Sequence, residues 1–160
     1  MKYPIGIQSF DRIIEDGYVY VDKTDLIYQL AQEGSIYFLS RPRRFGKSLL
    51  VSTLEHYFLG HKELFKGLKI DQLEKDWNVY PVFHVDFNGS NFTQAGVLEE
   101  RLEDYVSDWE TRYGLTSEAD RLDVGGRFIK VLRAAHEQTG RRAVVLIDEY
   151  DKPILDVLDV

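Results

Sequence analysis

Ser35-Ile36-Tyr37-Phe38-Leu39-Ser40-Arg41-Pro42-Arg43-Arg44-Phe45-Gly46-Lys47-Ser48-Leu49-Leu50 decides how the chain is read. An apolar run ends at Ser40, a compact basic loop follows, and a helix opens on Gly-Lys-Ser. Strand, loop and helix in that order suit an anion. The strand end fixes the loop, and backbone N–H groups at a helix N-terminus face the bound phosphate. Lys47 has the reach to meet terminal phosphates, and the Ser48 hydroxyl is a ligand for Mg²⁺. The general motif places glycine five residues before Gly46, where this chain has Arg41. Pro42 stiffens the loop, but arginine does not copy the freedom of glycine at positive φ. The Gly-Lys-Ser triplet alone is unspecific, so its flanking strand and helix carry the reading.

A second stretch supports it. Ala143-Val144-Val145-Leu146-Ile147-Asp148-Glu149 is an apolar, β-branched run that ends in two carboxylates. Such a run suits a central strand buried on both faces. An acid at its C-terminal tip stands in the crevice where open α/β sheets bind ligands. Asp148 is the candidate Mg²⁺ ligand, directly or through water, and Glu149 the candidate base for the water that attacks a γ-phosphate. The competing reading is a buried strand that ends in surface acids. The upstream Gly46-Lys47-Ser48 favours the nucleotide.

A chain of 160 residues with 44% hydrophobic content points to one globular domain able to bury a core. It has no cysteine. Disulfides, thiol catalysis and Cys-ligated zinc are excluded, in keeping with a reducing, cytoplasmic setting. Met1-Lys2-Tyr3-Pro4 leads into no apolar segment, so no signal peptide is expected. No apolar run reaches the roughly 18 residues that a membrane helix needs. The net charge of −7 gives no support to a nucleic-acid surface. The sequence shows no internal repeat and no low-complexity stretch.

Taken in order, the chain opens with an extended Tyr3-Pro4-Ile5-Gly6. A short helix capped by Ser9 carries Phe10, Ile13 and Ile14, and Gly17 closes it. Tyr3, Ile5 and Ile7 either cradle a nucleobase or pack a satellite core, the latter being the commoner fate of apolar residues. After an extended Tyr18–Asp22, Thr24 or Asp25 caps a second helix with Leu26, Ile27, Leu30 and Ala31 on one face, stopped by Gly34. The strand over 35–40 follows. Arg41, Arg43 and Arg44 either touch phosphate, which arginine binds bidentately, or pair with acids such as Asp22 or Asp151.

Lys47 to Phe58 reads as a helix with Leu50, Leu54, Tyr57 and Phe58 on one face, ended by Gly60. Glu63-Leu64-Phe65 is a helical turn, and Gly67-Leu68-Lys69-Ile70 a connector. Pro81 to Phe87 is the second clear strand. Asp86 near its end either orients water or Mg²⁺ beside Asp148 or caps the Asn88-Gly89-Ser90-Asn91 turn. Residues 95–113 form a helix whose Leu98, Leu102, Tyr105, Trp109 and Tyr113 stripe is core, with an acidic outer face. A further helix from Asp123 to Gln138 carries Phe128, Ile129, Leu132 and Ala135. His56, His61, His84 and His136 are scattered without metal-ligand spacing and read as structural or exposed. The alternation predicts right-handed crossovers and a mainly parallel sheet. The fold class is α/β.

Four stretches together resemble a known family. They are Tyr3-Pro4-Ile5-Gly6-Ile7-Gln8-Ser9-Phe10, Tyr20-Val21-Asp22-Lys23-Thr24, Ser40 to Ser48, and Leu146-Ile147-Asp148-Glu149-Tyr150-Asp151-Lys152-Pro153. The resemblance is to the predicted AAA-ATPase-like family, bacterial P-loop proteins that usually carry a C-terminal PD-(D/E)XK nuclease-like domain. It spans essentially the whole chain. In that family Arg-Pro-Arg-Arg-Phe is itself the form of the Walker A loop, so Arg41 departs only from the general motif. The resemblance implies a P-loop NTPase-like three-layer α/β/α fold that binds ATP and Mg²⁺. The implied nucleotide contacts are Arg43, Arg44, Phe45, Gly46, Lys47, Ser48 and Leu49. Mg²⁺ falls to Ser48 and Asp148, and catalysis to Lys47 and Glu149.

A complete core of this type continues past the Walker B strand, and one later strand brings a polar sensor residue to the γ-phosphate. This chain ends at Val160, twelve residues after Asp148. The expectation is therefore a fragment: residues 1–160 are the N-terminal part of a single domain, with 1–34 as lead-in and 35–160 as a partial nucleotide-binding core. An uncovered sheet edge is expected to invite self-association or a completing C-terminal segment. Turnover by the chain alone is expected to be slow or absent. An ATP-binding and ATP-hydrolysing module is the leading reading. A non-hydrolysing regulatory module and a P-loop phosphotransferase are its rivals, the latter disfavoured because the Asp148-Glu149 pair suits water activation.

Overall fold

Apolar spacing near 3.6 residues sorts most of the chain into helices, and unbroken apolar runs give two short strands. The computed structural model describes residues 1–33, 46–117, 121–149, 151 and 153. In chain order the elements are α1 (Phe10–Glu15), α2 (Thr24–Glu33), α3 (Lys47–Phe58), a 3-10 turn (Lys62–Phe65), α4 (Lys69–Leu73), β1 (Val82–Asp86), α5 (Val97–Arg112), α6 (Val124–Thr139) and β2 (Val144–Asp148). The strand expected over 35–40, and Arg41, Arg43, Arg44 and Phe45, lie outside the described residues. The chain divides into two compact units, Met1–Val79 and Tyr80–Val160.

In the first unit, Tyr3 and Ile5 do not pack a satellite core, whereas Ile7 is partly buried. Tyr3 is 63% and Ile5 92% exposed. Ser9 precedes α1, but its side chain caps nothing, and the Phe10 N–H donates to the Ser52 hydroxyl of α3 at 3.0 Å. The cap of α2 is Asp22, two residues before Thr24 and three before Asp25. Its Oδ1 accepts from the Thr24 N–H at 3.0 Å and hydroxyl at 2.6 Å, and its Oδ2 accepts from the Lys69 N–H at 2.8 Å. The buried Thr24 hydroxyl accepts in turn from the Ile70 N–H at 3.1 Å. These acceptors satisfy N–H groups that the first turn of a helix leaves open. That is why Lys69–Leu73 is a short helix and not the expected connector. Burial pushes the Asp22 pKa up, but the hydrogen bonds from Thr24 and Lys69 outweigh it and the net shift is downward. Phe10, Ile27, Tyr57, Phe65 and Ile70 form the core.

In the second unit, β1 and β2 pair in parallel, from Val82 opposite Val144 to Asp86 opposite Asp148. Both α5 and α6 lie in the connection, as the alternation predicts. Phe83 and Val85 pack with Val106, Trp109 and Val131, and the Trp109 ring meets Phe83 edge-on at 5.1 Å. The stripe on α5 is thus core. The Asp123 side chain caps α6 by accepting from the Gly126 N–H at 2.8 Å.

The inner face of α6 differs from expectation. Ile129 is 51% exposed, whereas Arg127 is 2% exposed. Residues 127, 131 and 134–135 fall on one helical stripe, and 129 lies about 200° from 127. The Arg127 guanidinium meets Glu110 and Glu103 of α5, each at 2.5 Å. β2 also differs: Val145 and Ile147 are 38% and 47% exposed, not buried on both faces. Among the described residues the sheet has two strands. The mixture of helices with a parallel sheet is of α/β class. Among the described residues, no helix is long and apolar enough to cross a membrane.

Candidate functional site

The first group of candidate residues, in the first unit, is at the start of α3. Gly46 stands at its N-cap with φ +79°, a left-handed conformation that glycine adopts without strain. Lys47, Ser48 and Leu49 follow in the first turn, each partly buried. The N–H groups of such a turn have no acceptor within the helix and point along the positive end of its dipole. No acidic residue stands in this turn to compete for them. The helix behind it is fixed. The Thr53 hydroxyl, buried, donates to the Leu49 carbonyl at 2.7 Å, and Tyr57 packs into the core. Arg43, Arg44 and Phe45, expected beside the phosphates, are outside the described residues.

The second group, in the second unit, is at the end of the parallel ladder. Asp148 is the last residue of β2 and is 4% exposed. Its Oδ1 accepts the Glu149 N–H at 3.0 Å. Glu149 itself has φ +57°, uncommon for a residue with a side chain. Asp86 lies opposite Asp148 across the ladder. It is a neighbour of the strand tip, and its Oδ1 also accepts the Asn88 N–H at 2.8 Å.

Two residues of α5 hold this strand end. The Tyr105 hydroxyl accepts from the Asp86 N–H at 3.1 Å and donates to the Asp86 carbonyl at 3.2 Å. Arg101 Nη2 donates to the same carbonyl at 3.1 Å, and its guanidinium lies over the Tyr105 ring. Sequence reasoning took Tyr105 for core and passed over Arg101. Their separation of four residues, one helical turn, was the available signal.

Residues 4–160 match the family described as "Predicted AAA-ATPase". The chain belongs to this family. The chain is also 45% identical, over 159 residues, to an "Uncharacterized protein in vnfD 5'region" of Azotobacter chroococcum mcd 1. The match covers 98% of this chain and 30% of that relative's length. No solved structure matches.

Asp148 in the second unit and, separately, Ser48 in the first each carry an oxygen donor of the kind that Mg²⁺ takes together with phosphate oxygens and water. Among the described residues, no group of three or more His, Cys, Asp or Glu is placed to hold a metal ion. His56 and His61 make a local pair instead, with Nδ1 atoms 2.8 Å apart, so they read as structural.

Proposed function

We propose that this chain is the ATP- and Mg²⁺-binding part of a P-loop ATPase with a three-layer α/β/α core and a mainly parallel sheet. The observation that carries the reading is Asp148, an acid 4% exposed at the C-terminal end of a parallel strand and followed at once by Glu149. Family membership and the Gly46-Lys47-Ser48 start of α3 support it.

In this reading the first-turn N–H groups of α3 and the Lys47 ammonium bind the phosphates and offset their charge. The Ser48 hydroxyl and the Asp148 carboxylate hold Mg²⁺. When bound, Mg²⁺ supplies neutralisation of the charge on the phosphate oxygens. Glu149 takes a proton from the water that attacks the γ-phosphorus, and ADP leaves in line with it. Arg101 and Tyr105 keep the backbone of Asp86 in place at the neighbouring strand end.

Calorimetric titration with ATP and Mg²⁺, run on the chain and on Lys47→Ala, tests the reading. Saturable binding that is lost in the variant is expected. Affinity retained in Lys47→Ala would overturn it. Glu149→Gln should bind nucleotide but lose turnover wherever turnover is measurable.

A further inference from the structure

The peptide group between Asp86 and Phe87 is bonded on both sides. Its carbonyl accepts from Arg101 Nη2 at 3.1 Å and from the Tyr105 hydroxyl at 3.2 Å. Its N–H, that of Phe87, donates to the Asp148 carbonyl at 3.2 Å. The peptide group between Asp148 and Glu149 repeats the pattern. Its carbonyl receives the Phe87 bond, and its N–H donates to Asp148 Oδ1 at 3.0 Å. Two peptide groups in series thus join a guanidinium on α5 to the carboxylate of a buried acid. The carbonyl and N–H of a trans peptide point opposite ways in one plane, so bonds at both fix that plane. The second plane, fixed in this way, sets where one oxygen of the Asp148 carboxylate lies. A cationic donor at the head of such a chain also polarises each bond that follows. Among the described residues the Arg101 Nε is buried with no hydrogen-bond acceptor. The side chain is therefore held at a cost that an apolar one would not carry.

We propose that Arg101 and Tyr105 are positioning residues for Asp148, acting through these two peptide groups. The proposal rests on the nucleotide reading above. In this role they contact neither phosphate nor cation. They keep one carboxylate oxygen of Asp148 turned to the Glu149 N–H, and the other oxygen serves the cation. Partners that orient a metal ligand in this way tune how well it binds the metal. The plainer role, in which the two side chains only fasten α5 to the end of β1, ends at the Asp86–Phe87 peptide. It predicts no effect at Glu149, which lies on the far side of the ladder.

Tyr105→Phe, which removes only the hydroxyl, and Arg101→Met, which keeps an apolar stem, test this in the whole chain. Amide proton shifts of isotope-labelled protein without nucleotide read the relay directly, because a weakened hydrogen bond moves its proton upfield. In each variant the Phe87 and Glu149 amide protons are both expected to move upfield. A shift at Phe87 with Glu149 unmoved would mean that α5 only fastens β1, and would overturn the proposal while leaving the nucleotide site standing. Calorimetric titrations with ATP, in Mg²⁺ and in EDTA, read the consequence. The gain in ATP affinity that Mg²⁺ brings is expected to fall about tenfold in each variant, with affinity in EDTA unchanged. A gain equal to that of the parent would overturn the positioning role. Absence of nucleotide binding even by the unmodified chain would overturn the nucleotide reading, and the positioning role with it.

Discussion

Asp86 stands directly across the parallel ladder from Asp148, at the C-terminal ends of β1 and β2. Neighbouring strands lie about 4.8 Å apart, and paired residues turn their side chains to the same face. Two acidic side chains therefore share one strand end, an arrangement that costs stability when no cation is present. Asp86 also closes the following turn through its Oδ1 and the Asn88 N–H. Asparagine keeps that acceptor and removes the charge. Asp86→Asn is expected to stabilise the nucleotide-free chain by about 0.5 kcal/mol in urea unfolding. The same variant is expected to weaken binding of ATP with Mg²⁺. Unchanged stability would show that the two acids do not repel each other.

Arg127 and Glu110 make the second test. Both are buried, at 2% and 5% exposure, and the guanidinium bridges to Glu103 and to the Ser107 hydroxyl as well. Hydrogen bonding by Glu110 and then Glu103 raises the Arg127 pKa further above its ordinary value. Removing the guanidinium leaves Glu110 buried without its counter-charge. Arg127→Met is expected to cost about 3–5 kcal/mol in chemical unfolding. Pairing it with Glu110→Leu should recover most of the loss, because an apolar pair replaces a buried charge without a partner. A double variant as unstable as the single one would show that the network contributes more than charge pairing.

The acid dependence of the first unit follows from Asp22. Its folded pKa is lowered, because the hydrogen bonds from Thr24 and Lys69 outweigh the effect of burial. A lowered carboxyl pKa contributes stability that is complete above the unfolded value, about 4, and is lost as pH falls through the folded value. Asp22→Ala is expected to cost about 1 kcal/mol at pH 7, as the loss of a helix cap does. The gap between the variant and the parent should shrink as pH falls below about 4. Melting temperatures at pH 7, 4 and 3 read this directly. A gap that stays constant with pH would assign the loss to packing, not to the charge.

The sequence carried the local features and missed those set at a distance. Helix α3 was legible because its apolar period and its flanking Gly46 and Gly60 are all local signals. The pairing of Asp86 with Asp148 was legible only on the condition that the two strands are neighbours, which register alone decides. The double role of Asp22 was not legible, since its second partner, Lys69, lies 47 residues away. Arg127 was hidden for another reason. A charge on a helix ordinarily faces water, and only the facing Glu103 and Glu110 make its burial tolerable. The left-handed backbone at Glu149 has no signature in composition or period. It occurs immediately after the last residue of β2.

Gly46 separates backbone cost from phosphate approach. Its φ of +79° strains any residue with a side chain, yet a Cβ built there meets nothing within 4 Å among the described residues. Among the described residues, conformation and not space is the obstacle to alanine. Gly46→Ala is therefore expected to fold and to lose only about 1 kcal/mol of stability. The added methyl, however, stands at the N-terminus of α3, where close approach of backbone to phosphate is required. ATP affinity is expected to fall about tenfold or more. Gly67→Ala is the matched control, with φ +80° and equally open surroundings but a place outside the candidate site. It should show the same loss of stability in chemical unfolding with no change in ATP affinity. If both variants lose stability alike and neither loses affinity, the start of α3 does not receive the phosphates.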